Sequence, residues 1–387
     1  MLKYILVVLV VLLGILVILP FVLNIVGIQI FQFGSIGGGR STLGDVGMLR
    51  SEDGGENWEA VSFSEDRRIP FPREIFDLTF HPSEQDTIFI GTKSSGIWKS
   101  ETRGVSWKKI IDSAARLDAG ADVYKIVVAR NKPEVIYTAV FQRNKGWILK
   151  SKDGGRSFSE VYFETEDRIG VFDIYVNPVD ENHVIIATGK GGILESRDGG
   201  KTWHVKKWFT DAVVKLVVNP RNILEMYALL SGSSIFKSLD GGINWLEVKE
   251  NIGTGEGNAP LVYPPPQVFN PFSSFSRSHS RIFTMDPQDP SVLYMTSSGG
   301  GLLRSRNGGI SWEQLDLLLP PDTGSFSAVA IHPRGNSRIF VASGAYLHLS
   351  KDGGSNWDVN VLPTKSNIKV VYIHPLRPDT IFVVLGR

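Results

Sequence analysis

One eight-residue pattern, Ser-x-Asp-x-Gly-x-x-Trp, is written seven times along this chain, and such a repeat limits the fold more than any single residue can. The copies are SEDGGENW from Ser51, SETRGVSW from Ser100, SKDGGRSF from Ser151, SRDGGKTW from Ser196, SLDGGINW from Ser238, SRNGGISW from Ser305 and SKDGGSNW from Ser350. They stand roughly 42 to 67 residues apart, in or just above the period of propeller blades.

Each box reads as a hairpin turn. Asp-Gly-Gly between two apolar runs is a strong hairpin signal, because glycine takes a positive φ with no Cβ to clash. The carboxylates of Asp53, Asp153, Asp198, Asp240 and Asp352 are placed to accept backbone N–H groups of their own turns. Thr102 and Asn307 stand at the same position and can imitate that bond without the charge. The aromatic residue then opens the next strand. Carboxylates spread one per blade do not converge on one substrate, so the boxes are expected to be structural and not catalytic or calcium sites.

Between boxes one order of strands returns. In 75–110 it runs IFDLTFHP, TIFIGT, GIWKS and, after the box, SWKKI. Six complete four-stranded units follow this recipe. The first box, in GMLRSEDGGENWEAV, supplies only a third and a fourth strand; the C-terminal IKVVYIHP and TIFVVLG supply only a first and a second. Joined, these pieces make a seventh unit and close a ring, which removes the open edges that an unclosed array would present. The expected fold is all-β: a seven-bladed β-propeller over 47–387, with two strands from each chain end in the closing blade.

The boxes resemble the Asp-box (BNR) repeats of sialidases, sortilin, xyloglucan-cleaving propeller hydrolases and photosystem II assembly-factor propellers. The resemblance covers about Gly47 to Arg387. It implies the propeller, and it implies little about function, because this fold hosts enzymes and binders alike.

The N-terminus is a separate matter. MLKYILVVLVVLLGILVILPFVLNIVGIQI carries one charge, Lys3, and is long enough to cross a ~30 Å hydrocarbon core as a helix. A signal peptide has a shorter apolar core and a small-x-small cleavage site. The expectation is therefore an uncleaved single-pass anchor over 1–33 and a Gly-rich tether over 34–46. Lys3 favours a cytoplasmic N-terminus and an extracytoplasmic propeller. The chain has no cysteine, which excludes disulfides, thiolate chemistry and a lipidated cysteine. A formal net charge of +1 argues against general nucleic-acid binding.

Chemistry is harder to find. A sialidase-like site needs three arginines gripping a carboxylate. Arg68, in the fragment RRIP, could face Arg116 and Arg168 from equivalent loops, but RRIP follows a box where the sialidase family has it before one, and no Tyr–Glu pair completes the set. A glycosidase needs two carboxylates about 5 to 9.5 Å apart over a cleft. Acids are plentiful in the loops that lead into inner strands: Glu65, Asp66, Asp112, Asp118, Asp122, Glu164, Glu166 and Asp167. Aligned on the turn proline, Asp77, Lys125, Asp173 and Lys215 share one position in four successive blades, where Ile282, Ala328 and Val370 stand in the others. That column reads as inter-blade ion pairs or as a charged half-funnel for a polar partner. No phosphate loop, metal-spaced histidine cluster or Ser-His-Asp arrangement is present, so no cofactor or metal is expected.

The longest insertion, 251–280, joins an outer strand to the next inner one and should emerge on the face opposite the boxes. It holds Pro264, Pro265 and Pro266 with Tyr263, Phe269, Phe272 and Phe275, aromatics suited either to plugging the channel or to forming a platform for a protein or glycan. The favoured function is a membrane-tethered, non-enzymatic binding or assembly propeller. The alternative is a carbohydrate-active enzyme of the Asp-box type.

Overall fold

The computed structural model of the protein describes residues 47–66, 68–250, 282–297, 301–317, 326–335 and 337–386. The expected anchor (1–33), the tether (34–46) and the insertion with Tyr263, Phe269, Phe272 and Phe275 lie outside them, as does Arg67. Among the described residues no helix is long and apolar enough to cross a membrane.

Those residues form seven four-stranded antiparallel sheets, the blades of a propeller. Blades 1 to 6 occupy 75–109, 122–163, 171–208, 213–247, 283–315 and 326–361. Blade 7 is composite. Its inner pair is Asn367–Ile373 and Ile381–Gly386, its outer pair Met48–Ser51 and Glu59–Ala60, and the join is the register Leu49↔Val383. The ring therefore closes with two strands from each end of the propeller segment.

Position in the blade dictates composition. The second strand lies between neighbouring blades and is apolar on both sides: Ile88–Thr92, Met226–Leu230 and Ile339–Ser343 are buried at every residue. The fourth strand is the rim and is mostly exposed, as in Ser159–Phe163 and His204–Trp208. The core consists of wedges between blades. One wedge joins Met48 and Phe382 of blade 7 to Ile75, Ile90 and Trp98 of blade 1. Another joins Tyr137 and Ile148 of blade 2 to Val171, Ile174 and Ile186 of blade 3.

The boxes hold one face of the ring. In each, the serine hydroxyl accepts the N–H of the fifth residue at 2.7–2.9 Å, from Gly55 in the first box to Gly354 in the last. Asp153 Oδ1 accepts the N–H groups of Arg156 and Ser157, and its Oδ2 accepts the Ser157 hydroxyl. Asn307 makes the same two backbone bonds, to Ile310 and Ser311, whereas Thr102 accepts one, from Ser106. The fourth box residue of all seven copies donates its N–H, at 2.8–2.9 Å, to the turn between the first two strands of the same blade: Gly54 to Asp379, Arg103 to Asp86, Gly199 to Asn182, and likewise around the ring. These two sets of turns thus share a face. The loops that lead into inner strands lie on the other.

Candidate functional site

The face opposite the boxes is organised by a recurring irregularity. In six blades the register of the inner strand slips by one residue near its start, between Ile75 and Asp77, Val123 and Lys125, Val171 and Asp173, Val213 and Lys215, Phe326 and Ala328, and Ile368 and Val370. Each slip is a β-bulge, and the column residue follows it directly.

In blades 1 to 4 the column is charged and joins the blades. Lys125 Nζ is 3.0 Å from Asp77 Oδ1, and Asp77 Oδ2 accepts the N–H of Ile126 at 2.9 Å. Asp173 Oδ2 accepts the N–H of Leu216 in blade 4 at 2.8 Å. Lys215 Nζ donates to the carbonyl of Phe283 in blade 5 at 2.9 Å. Burial pushes the Lys125 ammonium down, and Asp77 with Asp173 more than reverses this, so it titrates above an ordinary lysine. For Asp173 burial wins over the two lysines and its pKa is raised. The column is thus a set of inter-blade links.

The bulge residues form a second feature. Phe76, Tyr124 and Phe172 occupy the extra position in blades 1, 2 and 3. Phe76 stacks on Tyr124 with centroids 5.3 Å apart, and Tyr124 meets Phe172 edge-on at 5.5 Å. Three rings on three blades make an aromatic arc around the start of the inner strands. Phe76 and Tyr124 are half-buried, Phe172 buried. Sequence reasoning missed this arc, although an aromatic directly before the charged column in three successive blades was a visible signal.

The arginines serve their own neighbourhoods. Arg68 is exposed and paired with Asp66 at 3.1 Å; Arg116 stands 3.8 Å from Glu160. Arg168 takes a positive φ and donates its N–H to the Asn144 carbonyl.

The loop acids are similarly engaged. Asp118 pairs with Arg143 at 2.7 Å, Glu166 with Lys190, and Asp167 with Lys145 at 3.6 Å. Glu65 accepts the Ser106 hydroxyl. Asp112 accepts the N–H groups of Ala114, Arg116 and Leu117, and Asp122 that of Ser94. Glu164 is buried, accepts the Tyr162 hydroxyl at 3.1 Å, and is pushed up in pKa by burial. Among the described residues no group of three or more histidine and acidic side chains could hold a metal ion.

Comparison with solved structures returns propellers. YCF48 bound to a D1 peptide superposes with a TM-score of 0.57 at 18% identity, covering 81% of this chain and 94% of that one. YCF48 from Cyanidioschyzon merolae gives 0.58 at 14% identity, over 80% of this chain and 95% of that one. The GH74 enzyme of Niastella koreensis gives 0.59 at 16% identity, over 81% of this chain but only 51% of the enzyme, so this chain spans about half of its length. At such identities the likeness is one of fold. No curated protein matches the sequence. A family model does: the one described as photosynthesis system II assembly factor YCF48 matches residues 148–387, more than half of the chain, and the protein belongs to that family.

Proposed function

We propose that this chain is a membrane-tethered, extracytoplasmic assembly propeller that captures a segment of a partner protein, without catalysis, on the face opposite the Asp-box turns. The observation that carries the reading is the arc Phe76–Tyr124–Phe172 set directly above charged links on the same three blades. Ring faces offer contact area at small entropic cost, and a rigid ring of strands holds them in place. The loop carboxylates that hydrolysis would need are taken up by lysines, arginines and turn N–H groups. A member of the family has been seen with a D1 peptide, which makes a peptide the natural first ligand to test. Tyr263, Phe269, Phe272 and Phe275 are proposed to extend the same surface.

The test is fluorescence anisotropy with a labelled D1 peptide. Tyr124→Ala should weaken binding about tenfold, the scale of one aromatic anchor. Ser196→Ala, on the box face, should leave affinity unchanged, and replacing 255–278 by a Gly-Ser linker should lower it with the fold intact. Equal affinity in wild type, Tyr124→Ala and the linker variant would move the site elsewhere.

A glycoside hydrolase is the second reading, and Glu164 is the observation in its favour. It is buried, its pKa is raised, and Glu166 lies close enough to add to that rise. Release of reducing sugar from xyloglucan by the wild type but not by Glu164→Gln would support this reading; no release would remove it.

A further inference from the structure

At four of the seven boxes the residue just before the box serine is a cation that reaches the next blade. Arg50 donates to the carbonyl of Arg103, Lys150 to Gly199 at 3.2 Å, Lys237 to Gly308 at 2.9 Å and Arg304 to Gly353. The acceptor is always the fourth residue of the next box, so the cation clasps two neighbouring blades. This is a structural device, and the repeats supply its internal control.

One clasp differs from the rest. Between blades 2 and 3 lies a cleft of about 380 Å³ lined by Lys132, Lys150, Lys152 and Lys201. Three positions generate the charge: the residue before the box serine, the residue after it, and the sixth residue of the next box. Here they are Lys150, Lys152 and Lys201. The corresponding trios are Arg50, Glu52 and Val105; Lys99, Glu101 and Arg156; Glu195, Arg197 and Ile243; Lys237, Leu239 and Ile310; Arg304, Arg306 and Ser355; and Leu349, Lys351 and Glu56. No other boundary places three cations at these positions.

Glu181 and Asp198 line the same cleft, so four lysines face two carboxylates and the cations remain in excess. Asp198 is occupied by its own box, accepting the Thr202 hydroxyl and two backbone N–H groups. Glu181 accepts from Asn131 at 2.7 Å and lies 4.0 Å from Lys132. Lys152 and Lys201 are exposed and pair with no carboxylate among the described residues. Lys150 is buried over the Tyr137 ring, its Nζ 4.9 Å from the centroid. Burial lowers its pKa, and Lys152, Lys132 and Lys201 lower it further against a partial offset by Glu181. Like charges gathered around a recess with a buried ammonium at its base are stabilised by an anion.

We infer that the cleft between blades 2 and 3, on the box face, binds a phosphate-bearing ligand through Lys132, Lys150, Lys152 and Lys201. Lysine ammoniums suit phosphate because each is a compact charge with three donors that needs no fixed plane. The phosphate is carried either free or as the headgroup of a phospholipid.

Isothermal titration of the full-length chain in zwitterionic nanodiscs separates these sources. The probes are inorganic phosphate at constant ionic strength, with chloride as the comparison, and short-chain soluble phosphatidylglycerol against phosphatidylcholine. The expected result is saturable binding of phosphate, of phosphatidylglycerol, or of both, weakened at least tenfold by Lys152→Gln/Lys201→Gln. These exposed positions leave the Lys150 clasp in place, so folding is retained. Binding of phosphate alone assigns the free anion, and binding of phosphatidylglycerol alone assigns the lipid headgroup. Absence of saturable binding by either probe, or binding unchanged in the double variant, would overturn the proposal.

Discussion

Asp77 Oδ2 accepts the backbone N–H of Ile126 across the boundary between blades 1 and 2, at 2.9 Å. The inner strand of a blade has no neighbour on its channel side, so its outward N–H and C=O groups need other partners. Blade 1 provides them by side chain. Asp77 takes the N–H of Ile126, and Thr79 Oγ1 donates to the carbonyl of the same residue at 2.7 Å. The bulge before Asp77 sets the register in which this happens. Asp77→Ala should therefore cost about 1 to 3 kcal/mol, since it strips Ile126 N–H of its acceptor and Lys125 of its nearest carboxylate together. Asp77→Ala/Lys125→Met should recover part of the loss, because no half-buried ammonium is then left without the carboxylate it pairs with. Urea denaturation of the three proteins checks this; a double variant no more stable than Asp77→Ala would contradict it.

The box carboxylates make stability depend on acid. The Ser157 hydroxyl and N–H hold Asp153 down at about 2, and the Asn356 N–H and side chain hold Asp352 at about 2. Their ordinary value is near 3.8. A depressed carboxylate contributes stability that is present above its unfolded pKa and lost as pH falls through the folded one. Urea midpoints should thus hold steady, as far as the boxes are concerned, down to about pH 4 and fall between about pH 4 and 2. Asp153→Asn should lose less stability than Asp153→Ala, which costs on the order of 1 kcal/mol by analogy with a lost cap. Asn307 already makes the same two backbone bonds in its own box. Equal losses in the two variants would show that the carbonyl oxygen is not what the turn requires.

How far the sequence discloses such features depends on how local their physics is. The box turns, the four-strand recipe and the composite blade are legible because each rests on glycines, alternating burial or a fragment count within one short stretch. The pairing of Asp77 with Lys125 is legible as a column, since an acid and a base recur at one aligned position. What the acid does beyond that pairing is not. The bulge that turns Asp77 toward Ile126 N–H is marked by no glycine or proline. Lys215 shares the position of Lys125 yet donates to a backbone carbonyl, that of Phe283 in the following blade, although Asp173 stands in the blade before it as Asp77 stands before Lys125. The clasp from Lys150 to Gly199 also joins residues of different repeats, and only an aligned comparison of the residue before each box serine would expose it. Contacts between repeats are set by ring geometry, which no single repeat encodes.

The proposed anchor gives a prediction independent of the site. Every described strand begins at or after Met48, and the closing blade needs nothing before Gly47 except that Gly47 O accepts the N–H of Leu385. Removal of 1–33 should accordingly release a folded propeller into the soluble fraction, with thermal unfolding unchanged. Full-length protein should stay with membranes through a high-salt wash. A truncated protein that still pelleted with washed membranes would place the attachment on the propeller.

His348 is the residue whose surroundings fit it least. It stands two residues before the last box serine, where the other blades place Leu49, Trp98, Leu149, Leu194, Phe236 and Leu303. It is 0% exposed, and neither ring nitrogen finds a hydrogen-bond partner among the described residues. His374 is also fully buried but differs: its Nδ1 accepts two backbone N–H groups and its Nε2 is 2.9 Å from the Gln85 carbonyl. Burial lowers the pKa of His348, so the folded protein refuses a proton that the unfolded chain accepts below about pH 6.5. Stability is lost as pH falls below that value, down to the lowered folded pKa. His81, His332 and His374 are lowered as well and contribute their own share. His348→Leu should therefore raise stability at pH 7 by about 1 to 2 kcal/mol, as the two buried nitrogens give way to methyl groups. It should also flatten, without abolishing, the decline between pH 7 and 5. Urea midpoints measured across that range decide the matter: a variant with the wild-type slope would mean that His348 is already solvated or partnered in solution.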